Sequence, residues 1–97
     1  MMKKLYVLID QRYNPSYRGV QAGHAVAEYM LATAKEINGW KNQTLVYLVT
    51  DKLELDFRMM TKGELFCVPF YEPDVGGKMT AFACYTDAKF LSKYEMA

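Results

Sequence analysis

The chain has a single histidine and only two cysteines. One imidazole without clustered carboxylates does not make a zinc site, so no metal and no cofactor is expected. Two cysteines with no ligand spacing around them make a reduced, cytoplasmic compartment the default. An excess of charge is also lacking: 12 basic residues stand against 11 acidic ones, for a net charge of +1. A rigid nucleic-acid binder living on phosphate contacts would be more basic. Any nucleotide partner must therefore be small, or be met by a local patch. No apolar run reaches the length of a membrane span, and no charged-then-apolar leader precedes Lys3, so no membrane contact is expected. Internal repeats, linkers and low-complexity segments are absent as well.

What remains is dense and apolar. With 97 residues, 52% apolar and 14% aromatic, the chain is expected to form one domain over residues 1–97 around a single core.

The segment from Pro15 to Leu31 organises the rest and carries the only histidine. Asn14 can cap a helix there, and Pro15 suits the first helical position. Val20, His24, Ala27, Leu31 and Ala34 recur at helical spacing and are read as the face that lies on a sheet, with Gly23 and Ala25 allowing close approach. The first turns gather Tyr17, Arg18, Gln21 and His24 near the positive end of the helix dipole. That polar group is the candidate site. The helix is expected to stop near Ile37, before Asn38 and Gly39.

Lys3 to Ile9 reads as a strand covered on both faces, and Gln43 to Thr50 as a second, β-branched one. Strand, helix and strand make a crossover unit with parallel strands. Asp51 is expected to cap a second helix, Lys52 to about Lys62, burying Leu53, Phe57 and Met60, with Gly63 ending it. Glu64 to Tyr71 and Lys78 to Thr86 read as an antiparallel hairpin around the Glu72–Gly77 loop. Asp87 to about Glu95 reads as a short last helix packing Phe90, Leu91 and Tyr94. The expected fold class is α/β: a mixed four-stranded sheet with helices on both faces, in β-α-β-α-β-β-α order. Ligands of such sheets sit at the carboxyl ends of parallel strands. That edge would gather Asp10, Arg12, the Tyr17 to His24 turns and the Thr50-Asp51 end.

Leu5-Tyr-Val-Leu-Ile-Asp10, followed by Gly19-Val-Gln-Ala-Gly-His-Ala25, resembles the start of type II peptidyl-tRNA hydrolases. Those proteins follow a first strand with a helix carrying a lysine, Ala-Ala-Gln and then His-Ala. Met79-Thr80-Ala81 after Gly76-Gly77 is similar to their last strand. The resemblance implies that fold, with Gln21 and His24 on the helix motif. It places Asp74 at the family's loop aspartate and Thr80 at the threonine of the closing strand. Where the family has its lysine this chain has Tyr17, with Arg18 the nearest cation, and the loop lacks the family's Arg-Thr pair.

The implied activity is cleavage of the ester between a peptide and the terminal ribose of tRNA. Under it, Gln21 and His24 position water or ribose hydroxyls, Asp74 assists a base, and Thr80 donates to the carbonyl. Arg18, Tyr17, Lys78 and Arg12 are the candidate phosphate and nucleotide contacts. The plainer alternatives are a helix histidine packed on the sheet, solvated Arg18 and Lys78, an exposed Gln21, and Glu72 and Asp74 as loop carboxylates. A second functional reading uses the same pocket on a small ligand. For a small viral protein this is metal-independent cleavage of a cyclic nucleotide immune signal, with His24 as base and Arg18 or Lys78 on the phosphorane, or its mere sequestration. A third is a binding module without chemistry that pairs through its sheet edge or apolar surface, a homodimer being one form open to it. Cys67 and Cys84 fall opposite each other in a symmetric hairpin and are read as reduced core thiols, with a disulfide the alternative.

Overall fold

The computed structural model describes residues 2–97. Its elements are β1 (Lys4–Asp10), α1 (Pro15–Ala32), β2 (Leu45–Thr50), α2 (Leu53–Lys62), β3 (Cys67–Glu72), β4 (Lys78–Thr86) and β5 (Glu95–Met96). They form a mixed sheet of five strands rather than four, in the order β3-β4-β1-β2-β5. The α/β class stands. β1 and β2 are parallel across α1, whereas β4 runs antiparallel to both β1 and β3.

The near-continuous apolar run of β1 is explained by its place in the middle of the sheet. Leu5, Val7 and Ile9 pack under α1 with Ala22, Ala25 and Tyr29. Leu8 faces the other way, joining Phe82 of β4 and Leu53 and Met60 of α2. A strand covered on both faces has no use for polar alternation. The edges are blunted in two ways. β3 carries Pro69, which cannot donate to a further strand, and β5 has only 2 residues.

Four expectations need correction. The buried row of α1 is Gln21, Ala22, Ala25 and Tyr29. The row expected to face the sheet points outward at Val20, 54% exposed, and Leu31, 74% exposed, and of that row His24 alone lies on a strand residue, Phe70. Both rows have helical spacing on a helix rich in alanine and glycine, so periodicity alone could not choose. The helix also stops at Ala32, not Ile37: the Thr33 hydroxyl donates to the Tyr29 carbonyl at 2.8 Å and the chain turns there. Asp51 does not cap α2. The helix starts from Lys52 without a side-chain cap; Thr50 only fixes the entry, accepting the Lys52 N–H at 3.2 Å while its own hydroxyl donates to Asp56 at 2.6 Å. The last helix is a 3-10 turn, Lys89–Lys93, followed by β5, because the open edge of β2 offers backbone partners. Leu91 of that turn is buried, Tyr94 packs in the core, and Phe90 stays 43% exposed.

The hairpin contains the feature that shapes the site. Cys67 to Phe70 pair with Cys84 to Ala81, but Tyr71 pairs with Met79. Thr80 is the extra residue of a β-bulge. Ala81 and Ala83 face α1, so strict alternation would send Thr80 to the α2 side. With the bulge, Met79 joins Phe82 in the α2-side core and Thr80 reaches Gln21 of α1 instead. Cys67 and Cys84 face each other as free, buried thiols. Hydrogen bonding to Cys84 and burial push the Cys67 thiol up, so it stays protonated.

Among the described residues no helix is long and apolar enough to cross a membrane. Phe82 is the largest fully buried side chain. Replacing it with alanine should cost about 3–5 kcal/mol, read as a lowered urea midpoint with an unchanged slope.

Candidate functional site

Val68, Phe70 and Glu72 alternate along β3 onto the face covered by α1, whose inward row begins with Gln21. The Gln21 side chain is wholly buried and lies between two partners. Its Nε2 donates to Glu72 Oε1 at 2.9 Å, and its Oε1 accepts from the Thr80 hydroxyl at 2.5 Å. Glu72 Oε2 then accepts the Asp74 N–H at 3.3 Å, from the 3-10 turn Pro73–Val75 that follows β3. Gly76 and Gly77 close that loop at φ of 74° and 75°, a backbone region that glycine enters without steric cost. The result is a chain running Thr80, Gln21, Glu72 and the Asp74 backbone.

Glu72 is only 7% exposed, yet its carboxyl is held below its ordinary value. The Gln21 amide is the main cause; burial opposes it, while the Asp74 N–H and the positive charge of nearby His24 add to it. An ionised carboxylate is therefore fixed at the rim of the α1 face. His24 lies one turn beyond Gln21, exposed, and stacks on Phe70 with ring centroids 4.4 Å apart and planes 9° from parallel. Tyr17, a turn earlier, packs against Tyr13 at 5.0 Å. Burial and the charges of Glu72 and Asp74 push its hydroxyl pKa up, which places it beside the same carboxylates.

These placements change what the sequence-predicted residues can do. Gln21 and Thr80 come together, but both are 0% exposed, and the one proton of Thr80 is committed to Gln21. They hold Glu72 in place and have no free surface for a substrate. The Asp74 side chain is exposed, and the residue meets the chain of bonds through its backbone. Glu72, read beside Asp74 as one of two loop carboxylates, is instead the last residue of β3 and the carboxylate that the chain of bonds holds. The signal was its place at the end of the Val68, Phe70, Glu72 alternation.

The candidate cations are distributed over two places. Arg18 donates to the Gln11 carbonyl at 2.7 Å, and its buried Nε has no partner. Arg12 is bound to Asp10, with Nη2 at 2.6 Å from Oδ2 and Nε at 3.1 and 3.0 Å from the two oxygens. Burial would raise the Asp10 carboxyl, but the Arg12 side-chain and backbone donors outweigh it and hold it below its ordinary value. Lys78, at the start of β4, shares with Asp10, Arg12 and Lys52 a cavity of about 260 Å³ at the carboxyl ends of the parallel strands. Among the described residues no three His, Cys, Asp or Glu side chains converge as metal ligands would.

No family model matches the chain, and no curated protein matches it at a significant level.

Two changes test the buried chain of bonds. Thr80→Val removes the hydroxyl with little change of shape and leaves the Gln21 oxygen unpaired, at a cost of about 1–3 kcal/mol in urea unfolding at pH 7. Glu72→Gln should show a pH signature. A carboxyl lowered in the folded state stabilises fully above its unfolded pKa, near 4.5, and the stabilisation is lost as pH falls through the lower folded value. Wild type should therefore lead Glu72→Gln at pH 7, with the gap closing below pH 4.5. A gap that does not change with pH would contradict the placement.

Proposed function

We propose that this chain is a hydrolase of the type II peptidyl-tRNA hydrolase kind, with that family's fold in a shortened form. Its reaction is hydrolysis of the ester between a peptide and the terminal ribose of tRNA. The observation that supports the reading is the Thr80–Gln21–Glu72 chain of bonds beside an exposed histidine. An ionised, immobile carboxylate next to an imidazole favours the imidazolium that forms when histidine acts as a general base.

In this reading His24 takes a proton from water as the water oxygen adds to the ester carbonyl. The carbon–oxygen bond to the ribose then breaks, and the ribose oxygen recovers the proton from His24. Glu72 stabilises the charged intermediate state of His24, while Gln21 and Thr80 act as positioning residues. Arg18 and Lys78 are the cations left for the phosphates, Arg12 being neutralised by Asp10. The exposed positions of His24 and Asp74 suit the end of a macromolecule, which approaches an open surface.

The test is release of peptide from an N-acetylated aminoacyl-tRNA. Wild type should turn over, and His24→Ala should lose about a hundredfold or more in kcat/KM. Glu72→Gln should lower kcat more than it changes KM, since it acts on the transition state through His24. Absence of release with enzyme equimolar to substrate would overturn the proposal. Cleavage confined to cyclic dinucleotides, resistant to EDTA and lost in His24→Ala, would move the same site to a nucleotide signal.

A further inference from the structure

The opposite face of the sheet carries a cavity that the proposed chemistry does not use. It lies between α2 and the C-terminal turn and has a volume of about 430 Å³. That is within the range of small-molecule sites, which are mostly apolar with a few placed polar groups. Met59, Met60, Leu65 and Phe90 form its apolar wall, and Tyr94 and Asp56 its polar end. Lys52 and Lys93 also line it.

The charges in this cavity are unequal in what they are free to do. Asp56 is buried and already engaged. Its Oδ2 accepts the Thr50 hydroxyl at 2.6 Å, and the Tyr94 hydroxyl faces the same carboxylate. Burial and that carboxylate push Tyr94 up to about 12, so its proton stays. The two lysines have no such partner: among the described residues the only ion pair is Arg12 with Asp10. Lys93 Nζ instead lies 5.5 Å from the Tyr94 ring and 6.0 Å from the Phe90 ring. Two unpaired ammonium groups over an apolar cavity complement an anion whose other end is apolar. Lysine presents a compact point charge that pairs with an anionic head without demanding a fixed geometry, and methionine side chains adapt to a flexible tail.

We propose that this cavity binds a single-tailed amphiphilic carboxylate of the medium-chain fatty-acid type. The carboxylate sits at Lys52 and Lys93, and the chain lies among Met59, Met60, Leu65 and Phe90. The site lies across the sheet from His24, so its occupancy does not depend on the proposed hydrolase activity; Lys52 also borders the cavity with Asp10, Arg12 and Lys78, but Lys93 and the apolar wall do not.

Three probes of equal length separate the possibilities: octanoate, octanol and octylammonium, each below its micellar concentration. Calorimetry on the whole chain should give one saturable octanoate site, with octanol weaker by about tenfold. Lys52→Met with Lys93→Met keeps side-chain bulk at exposed positions. It should weaken octanoate by about tenfold and leave octanol unchanged. Methyl resonances of Met59 and Met60 should move on titration in the wild type. Saturable heat absent for octanoate would overturn the proposal. So would equal binding of octanol, a preference for octylammonium, full binding by the double variant, or shifts confined to methionines outside the cavity.

Discussion

A primary amide buried between a helix and a sheet must find partners at both its ends, because each orphaned group would cost more than the bond it lost. Gln21 is that amide, and the surrounding structure follows from satisfying it. Its oxygen needs a donor from β4, which a regular strand would have turned toward α2. The bulge at Thr80 supplies one. Its nitrogen needs an acceptor from β3, and the last residue of that strand, Glu72, is a carboxylate. Accepting from an amide and from the Asp74 backbone holds the Glu72 carboxyl below its ordinary value, where burial alone would raise it. The position of α1 over the hairpin, the break in β4 and the charge beside His24 are therefore one arrangement. A half-satisfied version of it would be worse than an apolar core.

This also explains how far the sequence could be read. The strands β1, β2 and β4 were legible because their apolar and β-branched runs admit no other role; β4 begins at Lys78 and ends at Thr86, as expected. Parallel pairing of β1 with β2 followed from the helix between them. The hairpin register was legible from Cys67 opposite Cys84 down to Phe70 opposite Ala81. It failed one residue later, since nothing in Lys78-Met-Thr-Ala81 marks a bulge. The inward face of α1 was ambiguous because small residues surround the helix. What decides it is a polar residue, Gln21, which periodicity counts as a reason to face water. At the C-terminus Phe90, Leu91 and Tyr94 have helical spacing, but the unpaired edge of β2 prevails over so short a segment. Gln21, His24, Thr80 and Asp74 could be chosen by type, whereas the importance of Glu72 depends on a partner 51 positions away in the chain.

Basic and acidic residues nearly cancel in this protein, so the placement of charge matters more than its sum. Arg12 is spent on Asp10, and Arg18 gives one of its donors to the β1–α1 loop. Glu72 and Asp74 stand on the same side as His24. A polyanion approaching that face meets little net attraction, so its recognition would depend on a few directed contacts and only weakly on salt.

The two faces of the sheet are chemically distinct because β1 and β4 separate them with close-packed side chains. Leu5, Val7, Leu8 and Ile9 are all 0% exposed, as are Ala81, Phe82, Ala83 and Cys84. Above this layer lies a chain of hydrogen bonds ending near a histidine; below it lies an apolar cavity with two free lysines. Changes at Gln21, Glu72 or Thr80 share no partner with changes at Met59, Met60 or Lys93, so their energies should add, whereas Lys52 borders both the lower cavity and the one with Asp10, Arg12 and Lys78. The layer between is too well packed to transmit a graded shift, and only a change of strand register would couple the faces. That register is regular from Cys67 opposite Cys84 to Phe70 opposite Ala81 and all along β1, and the bulge held by Gln21 changes it only at the end of the hairpin, beside Glu72.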